Sequence, residues 1–164
     1  MSDDMRLRRV AADETREPYV PLLLLADEPE PLRGYLESGD LYVLEDDTGT
    51  PLGVTLAVPH RDGENVVELK AVAVTVDQHN RGLGQRMLAL VLSAVRERGA
   101  RRVIVGTSNA GIGQIAFYQK AGFRLWRIER DYFTPERGYD PDARENGLLH
   151  RDMVWFDRTL EETG

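Results

Sequence analysis

Residues 66–88 read VVELKAVAVTVDQHNRGLGQRML: a long apolar strand, then Asn80-Arg81-Gly82-Leu83-Gly84, then the first turns of an amphipathic helix. A strand that runs through a glycine turn into a helix N-terminus builds a cradle for a phosphate or pyrophosphate. Gly82 and Gly84 lack a Cβ, so the backbone can turn tightly and approach an anion closely. The first helical turn leaves N–H groups without intrahelical partners, at the positive end of the helix dipole. Leu88, Val91, Leu92 and Val95 at i, i+3, i+4 and i+7 define the helix, with Gln85, Arg86, Ser93, Arg96 and Glu97 on other faces, and Gly99 stops it. Two glycines that only ease a strand-to-helix turn would look the same, so the cradle needs support from the rest of the chain.

Upstream, residues 5–10 read as a first strand and 13–37 as a helical region interrupted by Pro18, Pro21, Pro29 and Pro31. Strands over 40–46 and 51–59 are joined by the polar turn Asp46-Asp47-Thr48-Gly49-Thr50, and a loop at 61–65 leads into the strand 66–76. Downstream of the helix 83–98 come a strand over 102–107, a helix over 112–121 and a strand over 123–130. Residues 131–147 carry turn formers, charges and aromatics without a period, and Asn146-Gly147 introduces a final strand over 148–157. The order is mixed α/β, without internal repeats.

With 164 residues, 41% of them hydrophobic and 30% charged, the chain suits a single domain over 1–164 built on one buried core. The absence of cysteine excludes disulfides, thiolate metal sites and a cysteine nucleophile. The N-terminus MSDDMRLRRV has no apolar or Arg/Ser-rich leader pattern, and no apolar run approaches a membrane span, so a soluble cytoplasmic protein with no membrane partner is expected. A net charge of −7 argues against a nucleic-acid partner. That charge is unevenly spread: residues 1–68 hold 16 Asp/Glu against 6 Arg and no Lys. Residues 81–102 hold Arg81, Arg86, Arg96, Arg98, Arg101 and Arg102 against Glu97 alone. Solvated faces account for most of these residues, but the division also suits an anionic cofactor at the basic half and a cationic acceptor at the acidic half.

The strand ending Val72-Ala73-Val74, the turn His79-Asn80-Arg81-Gly82-Leu83-Gly84, Asn109, and Ile115-Ala116-Phe117-Tyr118-Gln119-Lys120-Ala121-Gly122-Phe123 together resemble the GNAT superfamily of acetyl-CoA-dependent N-acetyltransferases. Two positions depart from its pattern: His79 stands where a Gln or Arg usually leads the glycine motif, and Asn109 lies nine residues before Tyr118 instead of seven. The resemblance implies a GNAT fold, an α/β (α+β) arrangement with a mixed, mostly antiparallel twisted sheet of about seven strands and helices on both faces. The sheet would open between strands 66–76 and 102–107 to admit acetyl-CoA as co-substrate. Asn80, Arg81, Gly82, Leu83, Gly84 and Gln85 would cradle the pyrophosphate, Val72, Ala73 and Val74 would run beside the pantetheine arm, and Asn109 would contribute to the cofactor site.

By the same resemblance, Tyr118 would protonate the departing CoA thiolate, and Glu68 occupies the position of a general base. By the period of two, Glu68 shares a strand face with Val72 and Val74. An ordinary strand glutamate paired with Lys70 explains Glu68 equally well, and a half-buried aromatic on a helix explains Tyr118. Tyr132, Tyr139 and Asp140 are candidates for reading the acceptor, an amine of unspecified identity, and a homodimer is implied. His60, His79 and His150 are too scattered for a metal site, and His60 and His150 read as surface or sheet-edge residues. A non-catalytic acyl-CoA sensor and a nucleotide-binding α/β domain remain rivals; the latter lacks a third glycine and an acidic ribose partner about 20 residues on.

Overall fold

The computed structural model describes residues 4–61, 63, 65–75 and 82–161. The chain begins with β1 (Arg6–Arg9) and reaches α1 (Val20–Leu23) and α2 (Pro29–Tyr35) through a 3-10 turn at Glu17–Tyr19. Each of these short helical pieces starts with a proline at its first or second position. Proline's fixed φ suits a helix start and blocks its interior, which is why the helical region 13–37 is broken into pieces. Strands β2 (Asp40–Glu45), β3 (Pro51–Pro59) and β4 (Val66–Val74) follow, then α3 (Leu83–Glu97), β5 (Arg102–Ser108), α4 (Ile112–Lys120) and β6 (Arg124–Glu129). The chain ends with two-residue strands β7 (Arg144–Glu145) and β8 (Leu148–Leu149) and with β9 (Met153–Thr159).

The seven-stranded sheet has the order β1-β2-β3-β4-β5-β9-β6, antiparallel throughout except for the β4–β5 pair. The last strand of the sheet starts later than the sequence suggested. Asn146 and Gly147, both at positive φ, close the tiny β7–β8 hairpin, and only after residue 152 does the chain enter β9 between β5 and β6. Apolar residues cover both faces. Tyr42 and Leu44 of β2 join a core with α3 and α4, while Leu41 and Val43 join a second core with Leu23 of α1 and Leu32 of α2. No helix among the described residues is long and apolar enough to cross a membrane.

Two irregularities in β4 create the site. Between Leu56↔Ala71 and Ala57↔Leu69 the β3–β4 register shifts, so Lys70 is an extra residue in a bulge. A bulge reverses alternation: Leu69 packs into the α3–α4 core, but so do Val72 and Val74, whereas Ala71 and Ala73 face α1 and α2. Glu68 therefore lies on the face opposite Val72 and Val74, which corrects the period-of-two expectation. In addition, β4 and β5 pair only over Val66–Leu69 and Arg102–Val105. Beyond those residues the two parallel strands part, as the expected opening of the sheet requires.

Candidate active site

Where β4 and β5 separate, a cavity of about 700 Å³ opens, lined by both strands, α2, α4 and the segment 132–150. Its volume is in the range of small-molecule sites. Glu68, Val72, Tyr118, Tyr132, Tyr139 and Asp140, chosen from sequence, all line it.

Tyr118 comes from α4. Its ring is buried against Phe117, Phe123 and Phe156, with centroids 5.1, 5.8 and 5.8 Å away. Burial pushes its phenol well above the ordinary value, because ionisation there would place a charge among hydrocarbons. Its hydroxyl makes no hydrogen bond to any described residue, so a protonated donor lines the cavity.

Glu68 lies 3.7 Å from the Lys70 ammonium, which also sits 5.4 Å from the Tyr35 ring centroid. Bulging Lys70 out of the ladder sets this pair on the cavity wall. Farther along, Asp27 bridges two elements: Tyr35 donates to one carboxylate oxygen at 2.8 Å, and Tyr139, 112 positions on in the chain, donates to the other at 3.0 Å. Burial, with the charge of Asp27 next, drives both phenols far above their usual range and keeps them neutral donors. Tyr132, Phe133 and Tyr139 form an aromatic cluster over this end. Asp27, Glu28 and Asp140 line the cavity without an ion-pair partner among the described residues, whereas Arg137 pairs with Glu129.

At the end of β5, the buried Ser108 hydroxyl lies 2.6 Å from Nδ1 of His150, and Nε2 of His150 lies 3.8 Å from Glu145. All three line the cavity. No sequence signal pointed to them. Ser108 and His150 are 42 positions apart, and His150 read as a sheet-edge residue. The same holds for Asp27 and Tyr35, which lie on the prolyl segment before β2.

The anion cradle is described from Gly82 onward; His79, Asn80 and Arg81 lie outside the described residues. Gly82 caps α3 at φ +67°, a left-handed conformation, and has open space around it. Gly84 answers a different need, since a Cβ there would come within 3.0 Å of the Phe117 ring. The side chain of Leu83 is buried, and Gln85 donates its amide to the Phe117 carbonyl at 3.0 Å, tying α3 to α4. With the Leu83 and Gln85 side chains engaged in this way, the backbone N–H groups of Leu83, Gly84 and Gln85 are the ones the helix start leaves without an intrahelical partner. Asn109 departs from expectation. Its Oδ1 accepts from the N–H groups of Arg151 and Asp152, each at 2.9 Å, and its Nδ2 donates to the Leu149 carbonyl at 3.1 Å. Asn109 thus anchors the segment that carries His150, and it does not line the cavity.

The model of the acetyltransferase (GNAT) family matches residues 7–123. An uncharacterized N-acetyltransferase of Bacillus subtilis, YvbK, is 35% identical over 151 residues, covering 91% of this chain and 94% of its own. Among solved structures, a GNAT family acetyltransferase from Elizabethkingia anophelis with acetyl-CoA bound superposes with a TM-score of 0.85 at 31% identity, covering 97% of this chain and all of that one. A Bacillus subtilis acetyltransferase in complex with CoA gives a TM-score of 0.84 at 32% identity, covering 96% and 100% of the two chains.

Proposed function

The chain belongs to the acetyltransferase (GNAT) family, and on that premise we propose that it moves an acetyl group from acetyl-CoA directly to a primary amine on a cationic small molecule or peptide. It is an acetyl-CoA-dependent acyltransferase, and its residues 1–164 act as one domain. The thioester enters where β4 and β5 part, with Val72, Ala73 and Val74 beside the pantetheine arm and Gly82, Leu83, Gly84 and Gln85 offering N–H groups to the pyrophosphate. Asn80 and Arg81 join this cradle on sequence grounds.

One observation supports the reading above others: a single cavity at the strand opening holds both a carboxylate, Glu68, and a protonated buried phenol, Tyr118. An ammonium has no lone pair, so nitrogen must shed protons while sulfur gains one. Glu68, directly or through a water, takes the proton that nitrogen releases as the N–C bond forms and the C–S bond breaks. Tyr118 gives its hydrogen to the departing sulfur. Asp27, Glu28 and Asp140, without an ion-pair partner among the described residues and under an aromatic roof, favour an acceptor that carries positive charge.

Calorimetric titration with acetyl-CoA, with adenosine monophosphate as control, tests the donor site; free-thiol release with a panel of primary amines tests transfer. Saturable micromolar binding and amine-dependent thiol release are expected. Binding without turnover on any amine would leave a sensor of acyl-CoA instead of an enzyme.

A further inference from the structure

We propose that Ser108, His150 and Glu145 form a proton relay that turns the acceptor's ammonium into the free amine before transfer; the proposal rests on the acetyl-transfer reading above. Ser108 Oγ accepts the N–H of Ala110 at 3.1 Å and meets Nδ1 of His150 at 2.6 Å. Either atom of that pair can be the donor; the relay uses the tautomer in which the hydroxyl donates its hydrogen to Nδ1, with one lone pair on Ala110 and the second kept for a donor in the cavity. Nε2 then carries the ring hydrogen toward Glu145, 3.8 Å away, a carboxylate placed to stabilise an imidazolium. A hydroxyl bonded to an imidazole that faces a carboxylate is the arrangement through which Ser-His-Asp triads move a proton.

Nitrogen loses two protons in the transfer and sulfur gains one. In the relay, the ammonium passes its first proton to Ser108 Oγ as Ser108 passes its own to Nδ1, leaving the amine lone pair free. Glu68 takes the second proton as the amide forms. Glu68 passes that second proton back to Tyr118, whose own went to sulfur, and the imidazolium returns its proton to solvent, which closes the balance at one proton released. Glu68 is already paired with Lys70, so the division gives the first step to a group that pairs with no Lys or Arg among the described residues. Glu145 faces His150 directly, the Phe133 ring packs 5.9 Å from its own, and Tyr139, Asp140, Glu68 and Lys70 share the cavity.

Thiol release from acetyl-CoA with 1,4-diaminobutane, lysine amide and phenylethylamine would be followed against pH for the wild type and for Ser108→Ala, His150→Gln and Glu145→Gln. The wild type should hold its kcat/KM near neutral pH, whereas in Ser108→Ala and His150→Gln kcat/KM should rise steadily toward the amine pKa, about 10, and be down about a hundredfold near neutral pH. Acetyl-CoA binding by calorimetry should stay within threefold. Combining the two substitutions should cost no more than either alone. Glu145→Gln, on a half-exposed side chain, keeps the test open if the buried variants fail to fold, and it should lower kcat/KM several-fold. An unchanged pH profile in the variants, additive losses, or an acetyl group found on Ser108 by mass spectrometry would overturn the relay while leaving the acetyltransferase standing. Acetyl-CoA binding with no amine turnover in the wild type would overturn both.

Discussion

Tyr118 contributes a ring and a hydroxyl, and the two can be separated. The ring fills the contact among Phe117, Phe123 and Phe156, so Tyr118→Phe keeps the packing and should change stability by less than about 1 kcal/mol. Losing the hydroxyl removes the proposed donor to sulfur. Acetyl-CoA affinity should stay within about threefold, while kcat falls on the order of a hundredfold. Calorimetry and thiol release check the two halves, and an undiminished kcat would remove the acid role. The glycines of the cradle divide in a similar way. Gly82 stands in open space at φ +67°, so Gly82→Glu strains the backbone and sets a carboxylate where an anion would bind; acetyl-CoA binding should disappear. Gly84→Ala instead drives a methyl against the Phe117 ring, at 3.0 Å, and should cost about 1–3 kcal/mol in urea denaturation.

At the scale of elements, the bulge at Lys70 and the parting of β4 from β5 matter more than any single side chain. The bulge turns Glu68 onto the cavity face while Val72 and Val74 stay packed on α3, and the parting supplies the space. Neither is legible in VVELKAVAV, because alternation on both sides of a bulge looks regular and pairing is a property of two strands. Asn109 shows the same limit. Its position resembles a cofactor contact, and what the tertiary structure adds is three hydrogen bonds that anchor the segment 149–152. Asn109→Ala should therefore lower stability by about 1–3 kcal/mol, since it strands the N–H groups of Arg151 and Asp152, while acetyl-CoA affinity changes less than twofold. Affinity lost without a stability change would reassign Asn109 to the cofactor.

Across the whole molecule, acidic groups outside the site are tied to arginines and turns. A hydrogen bond from Arg8 holds Glu14 below the usual carboxylate range, one from Arg33 does so for Glu17, and the Thr48 hydroxyl, ahead of the Thr50 N–H, does so for Asp46. In each case the folded pKa is below the unfolded one, so the stabilisation is complete only above the unfolded carboxylate range, about pH 4–5, and is lost as pH falls through the folded values. The thermal midpoint should fall modestly as pH drops below about 4, since these groups are exposed, and Arg8→Met should flatten part of that slope. The strand, glycine turn and helix at 66–97, the hairpin at 40–59 and the mixed α/β order were written in local pattern, because a helix start, a turn and an apolar period are fixed by neighbours in the chain. Glu68 and Tyr118 are singled out by resemblance to a family, not by local pattern. What the tertiary structure decided was which distant groups meet: β9 entering between β5 and β6, Tyr139 reaching Asp27, and His150 reaching Ser108. Those encounters depend on strand order, on one extra residue in β4 and on the path of the segment 130–152, none of which has a signature within a stretch of sequence short enough to show a period.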